Sequence, residues 1–82
     1  MSLAIRPQAR IPLDAIREAE AFARERLVVG PTLASPARHL WRAYRGALGA
    51  AAFLDALAHV PGVTVAETKS GRAWIIGAVV RP

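Results

Sequence analysis

Hydrophobic positions recur at helical spacing in three segments of the chain. The first segment, 13–27, carries apolar residues at positions 16, 19, 22, 23 and 27, which is the period of an amphipathic helix, and Asp14 is an acceptable N-cap for it. The second segment, 36–48, follows Ser35, which predicts a helix with a serine N-cap and a proline at its first position. The third predicted helix is 50–59, so the pattern indicates three helices.

Two β-rich runs follow the third helix and predict a hairpin. They cover 63–68 and 72–80, flank a Lys69-Ser70-Gly71 turn and come after a Pro61-Gly62 break. The segment Leu27-Val28-Val29 is a candidate for a very short additional strand beside this hairpin. With Ser70-Gly71 at the tip, strand alternation predicts one face packed on the helices. The residues of that face are Val63, Val65, Trp74, Ile76 and Ala78.

Three helices with a tight turn between the last two, closed by a hairpin, are the element order of a winged helix-turn-helix. The sequence therefore predicts an α+β fold with a flexible N-terminal arm at 1–12 and a winged-helix domain at 13–82. A chain of 82 residues holds one small domain. We expect a core of Leu, Val, Ile and Ala around the five aromatic residues, Phe22, Trp41, Tyr44, Phe53 and Trp74.

The charge of the chain is unevenly distributed. The net charge is +5, and residues 28–82 hold six basic residues against two acidic ones, Asp55 and Glu67. Such an excess favours a polyanionic partner. The absence of cysteine excludes disulfides and thiolate metal sites. No apolar run reaches the roughly 18 residues that span a bilayer, and residues 1–12 lack the apolar core of a secretory signal. We expect a cytoplasmic protein that does not associate with membranes.

Several segments together form one motif: AFARERL at 21–27, Pro36, LWRAYR at 40–45, FLDAL at 53–57 and WIIG at 74–77. This motif resembles the C-terminal winged-helix domain of phage and plasmid primase–helicases of the poxvirus-primase-like group. The resemblance covers about 15–80 and implies a DNA-binding module in replication or transcription regulation. In this chain the linker between the second and third helices is short, at 46–49, and no G-x-x-x-x-G-K-[ST] motif is present. The resemblance therefore implies neither helicase nor primase activity.

Five cations are candidate contacts to DNA phosphates. Arg38, Arg42 and Arg45 align on the side of the second helix opposite its apolar residues, and Lys69 and Arg72 flank the hairpin turn. Phosphate contacts position a protein on DNA without reading its sequence. The alternative interpretation is a solvated helix face and an ordinary polar turn.

The third predicted helix offers no Arg, Lys, Asn or Gln to read base edges. Its expected exposed residues are alanines, Asp55 and His59, and Asp55 would repel phosphate. We therefore expect binding to duplex DNA with weak sequence specificity, to which Arg6 and Arg10 of the arm could contribute. The alternative is a protein-interaction module whose alanine-rich helix docks a replication partner or forms a homodimer.

Other chemistry is not indicated. His39 and His59 are isolated, so no metal site is expected. Trp41, Tyr44 and Trp74 lie at apolar positions, which favours core packing over base stacking. No nucleophile–base pair can be assembled, so we expect a protein that is not an enzyme and needs no cofactor.

Overall fold

The computed structural model describes residues 3–82, in which three helices and four strands follow one another. They are β1 (Leu3–Ile5), α1 (Leu13–Arg26), β2 (Leu27–Pro36), α2 (Ala37–Ala43), α3 (Ala50–Leu57), β3 (Thr64–Thr68) and β4 (Ala73–Val80). The strands form one antiparallel sheet in the order β1-β3-β4-β2. The predicted α+β class, the three helices and the C-terminal hairpin are confirmed.

The core lies between the helices and one face of the sheet. Phe53 is fully buried at its centre, stacked on Tyr44 with ring centroids 4.3 Å apart and meeting Phe22 edge-on at 5.4 Å. On the sheet side, Val65 and Ile75 are register partners on β3 and β4, and both are buried. Burial of each such large side chain contributes about 1.5–3 kcal/mol, so this cluster fixes the helices on the sheet.

The turn of the β3–β4 hairpin has three residues. Thr68 donates its backbone N–H to the carbonyl of Arg72 at 2.9 Å, and Gly71 adopts a φ of +83° inside the turn. A three-residue loop with a left-handed glycine is a common hairpin connection. It places Val65 opposite Ile75, so the prediction that Trp74 and Ile76 pack on the helices is wrong.

Trp74 and Ile76 instead lie half-buried on the opposite face of the sheet. The other predicted residues of the packed face, Val63, Val65 and Ala78, are buried as expected.

The strand β2 begins at Leu27 as the sequence suggests but continues to Pro36. Its pairing with β4 is interrupted between Val29 and Ala34, and Pro31 lies in that bulge, where a residue without an N–H is tolerated. Opposite the bulge, Gly77 has a φ of +99°. A Cβ at this position would collide with a backbone carbonyl, so only glycine fits.

Three predicted helix boundaries are wrong. The first helix has Pro12 at its N-cap position, so Asp14 lies within the first turn. The second helix starts at Ala37, because Ser35 still belongs to β2 and its buried hydroxyl donates to the carbonyl of Ala78 at 3.0 Å. The third helix ends at Leu57, two residues earlier than predicted.

The second helix is also much shorter than predicted. It ends at Ala43, and Tyr44 has an extended backbone with ψ of 131°. The Tyr44 hydroxyl bonds to the carboxylate of Glu18 on α1 and accepts the backbone N–H of Leu48 at 2.9 Å. These bonds hold the chain between α2 and α3 in a tight, non-helical path.

The N-terminal segment contacts the rest of the domain, and its strand was not predicted. In β1, Ile5 pairs with Ala66 of β3, which makes β1 an edge strand of the sheet. Gln8 then donates its side-chain amide to the carbonyl of Ala58 at 2.7 Å, and His59 Nε2 lies 2.8 Å from the carbonyl of Ala9. Residues 3–9 of the predicted arm therefore lie against β3 and the C-terminal end of α3.

Candidate functional site

An exposed face of α2 carries two cations and an aromatic ring. Arg38, Trp41 and Arg42 are neighbours on this face because residues three and four apart in a helix lie side by side. Trp41 is 40% exposed, which corrects its assignment to the core. Its indole packs against Phe53 and Tyr44, with centroids 5.7 and 5.9 Å apart, and the rest of the ring system faces outward.

The start of α2 lies beside the turn end of the hairpin. Pro36, at the end of β2, is the register partner of Trp74 on β4, so the next residues of α2 meet the first residues of β4. An open cleft of about 410 Å³ forms there between Arg38, Arg72 and Trp74. The fold thus brings together two predicted phosphate contacts that are 34 positions apart in the sequence.

A second, smaller cleft lies on the other side of Arg38. Its walls are Trp41, Phe53 and Leu54 together with Ala37 and Ala50, and no polar atom is exposed in it. Because Ala37 and Arg38 line both clefts, the two form one continuous surface. We call it the arginine–tryptophan surface; Arg38, Trp41, Arg72 and Trp74 line it, and Arg42 adjoins it on α2.

Arg45 does not belong to this surface. Since α2 ends at Ala43, the chain turns before Arg45, which lines a separate depression against α1 with Glu18 and Glu25. The predicted stripe of three arginines along one helix is therefore not formed. Sequence periodicity places Arg45 in the stripe because it predicts a helix that continues past this residue to 48.

Lys69 lies at the exposed tip of the β3–β4 turn, next to Arg72 at its base. The turn is well ordered by hydrogen bonds: the Thr68 carbonyl accepts the N–H of Gly71 at 2.9 Å, and the Thr68 hydroxyl accepts that of Arg72 at 3.2 Å. The two cations of the turn are thereby held on a fixed backbone beside the arginine–tryptophan surface.

None of these cations forms an ion pair with an acidic residue in the described chain. Of the six acidic residues, four lie on α1, at positions 14, 18, 20 and 25. The other two are paired with Arg6, whose guanidinium lies 2.9 Å from the Asp55 carboxylate and 3.5 Å from that of Glu67. Asp55 is therefore half-buried and neutralised, which corrects the expectation that it is exposed on α3 and repels phosphate.

Arg6 makes the only ion pairs among residues 3–82. Its charge is thus directed at two carboxylates, whereas Arg10, the other predicted contact of the arm, is exposed. Arg38, Arg42, Lys69 and Arg72 remain exposed and without a carboxylate partner in the described chain. These four cations lie on or beside the arginine–tryptophan surface and on the hairpin turn, where they raise the local positive potential.

Tyr44 is a titratable group buried in the core. Burial, reinforced by the hydrogen bond to Glu18, raises the pKa of Tyr44 above its ordinary value, and the Leu48 N–H partly offsets this rise.

In the described part of the chain no cluster of three His, Asp or Glu side chains is placed to hold a metal ion. None of the helices within residues 3–82 is long and apolar enough to cross a bilayer.

The sequence alone did not reveal the two indoles of this surface. Trp41 and Trp74 occur at apolar positions in their local patterns, and their exposure depends on where α2 ends and on the length of the hairpin turn. Comparisons with protein-family models, with curated proteins and with solved structures find no match to this chain.

Proposed function

We propose that this chain is a winged-helix module that binds DNA mainly through the phosphate backbone. The order β2, α2, α3, β3, β4 supports this, with β4 lying between β2 and β3 in the sheet. The β3–β4 turn is then the wing, and Arg38 lies at the start of the second helix. The sequence resemblance adds the context of this proposal, a phage or plasmid replication or regulatory protein.

The separation of charge carries the proposal. Arg38, Arg42, Lys69 and Arg72 form a positive region, while Arg6 occupies the only two carboxylates outside α1. A surface of one sign attracts a polyanion and releases counterions when phosphates bind. Arginine suits such contacts, since its planar fork donates two hydrogen bonds to one phosphate.

The exposed start of α3 supports weak discrimination among duplex sequences. Its outward residues are Ala50, Ala51 and Ala52, which offer methyl groups and no hydrogen-bonding side chain. Base pairs are distinguished mainly by donors and acceptors in the major groove. We therefore expect similar affinities for unrelated duplexes of equal length.

The test compares two variants with the same change in net charge. Arg38→Gln with Arg72→Gln removes two cations of the arginine–tryptophan surface, and Arg17→Gln with Arg24→Gln removes two exposed cations of α1. Titration into a labelled duplex at low salt, followed by fluorescence anisotropy, should show about a tenfold or greater loss of affinity for the first variant only. Equal losses, or no binding by the natural sequence, would contradict the proposal.

The alanine-rich start of α3 favours a second candidate function, docking of a protein. Ala50, Ala51 and Ala52 are exposed beside the half-buried Leu54. Small side chains allow a partner helix to approach closely. Sedimentation would then reveal a concentration-dependent dimer that Ala52→Glu abolishes and Ala47→Glu, in the exposed linker, preserves; a monomer at all concentrations would exclude self-association.

A further inference from the structure

We propose that the arginine–tryptophan surface binds unpaired bases, so that the preferred ligand is a single-stranded nucleic acid. This inference rests on the proposed function and specifies its ligand. In it, Arg38 and Arg72 contact phosphates, while Trp41 and Trp74 stack on bases.

The exposure of Trp41 is the first observation behind this inference. An indole that is 40% exposed leaves a large aromatic area in water next to the guanidinium groups of Arg38 and Arg42. Proteins that bind single strands combine a positive groove with aromatic side chains on which bases stack. Stacking also requires no base-edge readout, and α3 supplies none.

The arrangement of the two clefts is the second observation. Trp74 lines one cleft, Trp41 lines the other, and Arg38 lines both. The cleft beside Trp41 exposes no polar atom and thus suits the face of a base better than a phosphate. The cleft beside Trp74 is lined by Arg38 and Arg72, which suits a phosphate next to a base.

A DNA duplex cannot stack its bases on Trp41 and Trp74. Its bases are stacked within the helix, and an indole reaches a base face only where a base is unstacked or the strand is single. Charge complementarity favours a nucleic acid over an apolar protein segment, because Arg38 and Arg72 line the cleft beside Trp74 and no Asp or Glu lines either cleft.

The chain contains two tryptophans, both of which line this surface, so fluorescence excited selectively at the indoles reports on it. Trp41→Phe and Trp74→Phe each leave a single indole as the probe. An oligothymidylate of about 12 nucleotides, within the usual site size, should quench both indoles and bind more tightly than a duplex of equal length. The same titration with an oligouridylate of equal length shows whether a deoxyribose or a ribose strand binds more tightly.

An abasic strand of the same length separates stacking from charge. We expect Trp41→Ala to weaken binding of the oligothymidylate by roughly 5- to 100-fold and binding of the abasic strand by less than about twofold. Trp41→Tyr should retain most of the affinity, because it keeps an aromatic face. Leu13→Ala, which removes another exposed apolar side chain, should change neither, and circular dichroism checks that each variant folds.

Several results would overturn the inference. The first is an equal affinity of the natural sequence for the abasic strand and the oligothymidylate. The second is an equal loss of affinity for both strands in Trp41→Ala. The third is quenching of the tryptophan fluorescence by oligoglutamate that is as strong as the quenching by oligothymidylate. If duplex and abasic strand still bind in a manner that depends on Arg38 and Arg72, the proposed function survives without base stacking. If no nucleic acid binds at low salt, both fail.

Discussion

At the scale of single residues, Tyr44 determines the path of the chain toward the site. Its ring stacks on Phe53, and its hydroxyl joins Glu18 of α1 to the backbone N–H of Leu48. A Cβ at Gly46 would collide with this ring, so the glycine permits the close passage of the linker. By ending α2 early, these contacts turn Arg45 away from Arg38 and leave Trp41 at the surface.

Tyr44 predicts a loss of stability at high pH. Burial first, and the bond to Glu18 next, raise its pKa in the folded state, so the folded state holds the phenol proton more tightly than the unfolded state. The resulting stabilisation is complete below the unfolded pKa of about 10 and is lost as pH rises through the folded value. Urea unfolding across this range, with tyrosinate absorbance of the single tyrosine, measures the effect.

The matched variant for this prediction is Tyr44→Phe. At neutral pH it should lower the free energy of unfolding by about 1–3 kcal/mol, since Glu18 and the Leu48 N–H lose their partner. The alkaline decline due to the phenol should disappear. A variant that retains the same decline would show that another group causes it.

The conformation of Gly77 predicts that a substitution at this residue lowers the stability of the domain. Alanine at this position would have a positive φ and a Cβ against the carbonyl of Gly62. Gly77→Ala should therefore destabilise the domain by about 2 kcal/mol or more in a urea titration. Gly49→Ala is the control, because its Cβ would meet no atom within 4 Å, and its effect should stay within about 0.5 kcal/mol.

At the scale of elements, Arg6 joins β1 to both α3 and β3. Its backbone N–H donates to Val65 at 2.8 Å, and its guanidinium reaches Asp55 and Glu67. The same contacts hold the edge strand in place and offset part of the negative charge of these two carboxylates. One arginine thereby couples the folding of the N-terminal segment to the electrostatics of the site.

Arg6→Ala should thus affect both stability and binding. We expect a loss of about 1 kcal/mol in unfolding free energy, as is usual for partly exposed ion pairs, and weaker DNA binding because Asp55 and Glu67 become unpaired. Arg10→Ala removes the same charge from an exposed position and should leave stability unchanged. Equal effects of the two variants on binding would show that net charge alone matters.

The helices and strands differ in how well the sequence predicts them. The apolar period of α1 and α3 and the two β-rich runs predicted those elements, because each follows from local alternation. The face of β4 was assigned wrongly, since a turn of three residues instead of two shifts the register by one and exchanges Ile75 with Trp74 and Ile76. Nor did local pattern predict β1, because Leu3-Ala4-Ile5 gains its strand conformation by pairing with β3.

The site was predictable to a lesser extent. Arg38, Lys69 and Arg72 were chosen from charge and position, and the fold places Arg38 and Arg72 on one cleft. Arg45 and Arg6 were grouped with them although the first lies against α1 and the second pairs with two carboxylates. Those contacts connect residues that are far apart in the sequence, and no local pattern contains them.

At the scale of the whole molecule, the fold separates its charges. The carboxylates lie on α1 or pair with Arg6, whereas α2 and the hairpin turn present cations beside two indoles. Net charge alone, +5, would predict nonspecific attraction over the whole surface. The structure instead predicts that attraction is localised to one side of the domain.

The salt dependence of binding to duplex DNA tests this localisation most directly. If Arg38, Arg42, Lys69 and Arg72 each neutralise a phosphate, the logarithm of the association constant falls with the logarithm of salt concentration with a slope of about −3 to −4. Arg38→Gln with Arg72→Gln should bring the slope closer to zero by about 2, and Arg17→Gln with Arg24→Gln should leave it unchanged. Equal changes in slope for the two pairs, or no measurable binding at low salt, would contradict the account.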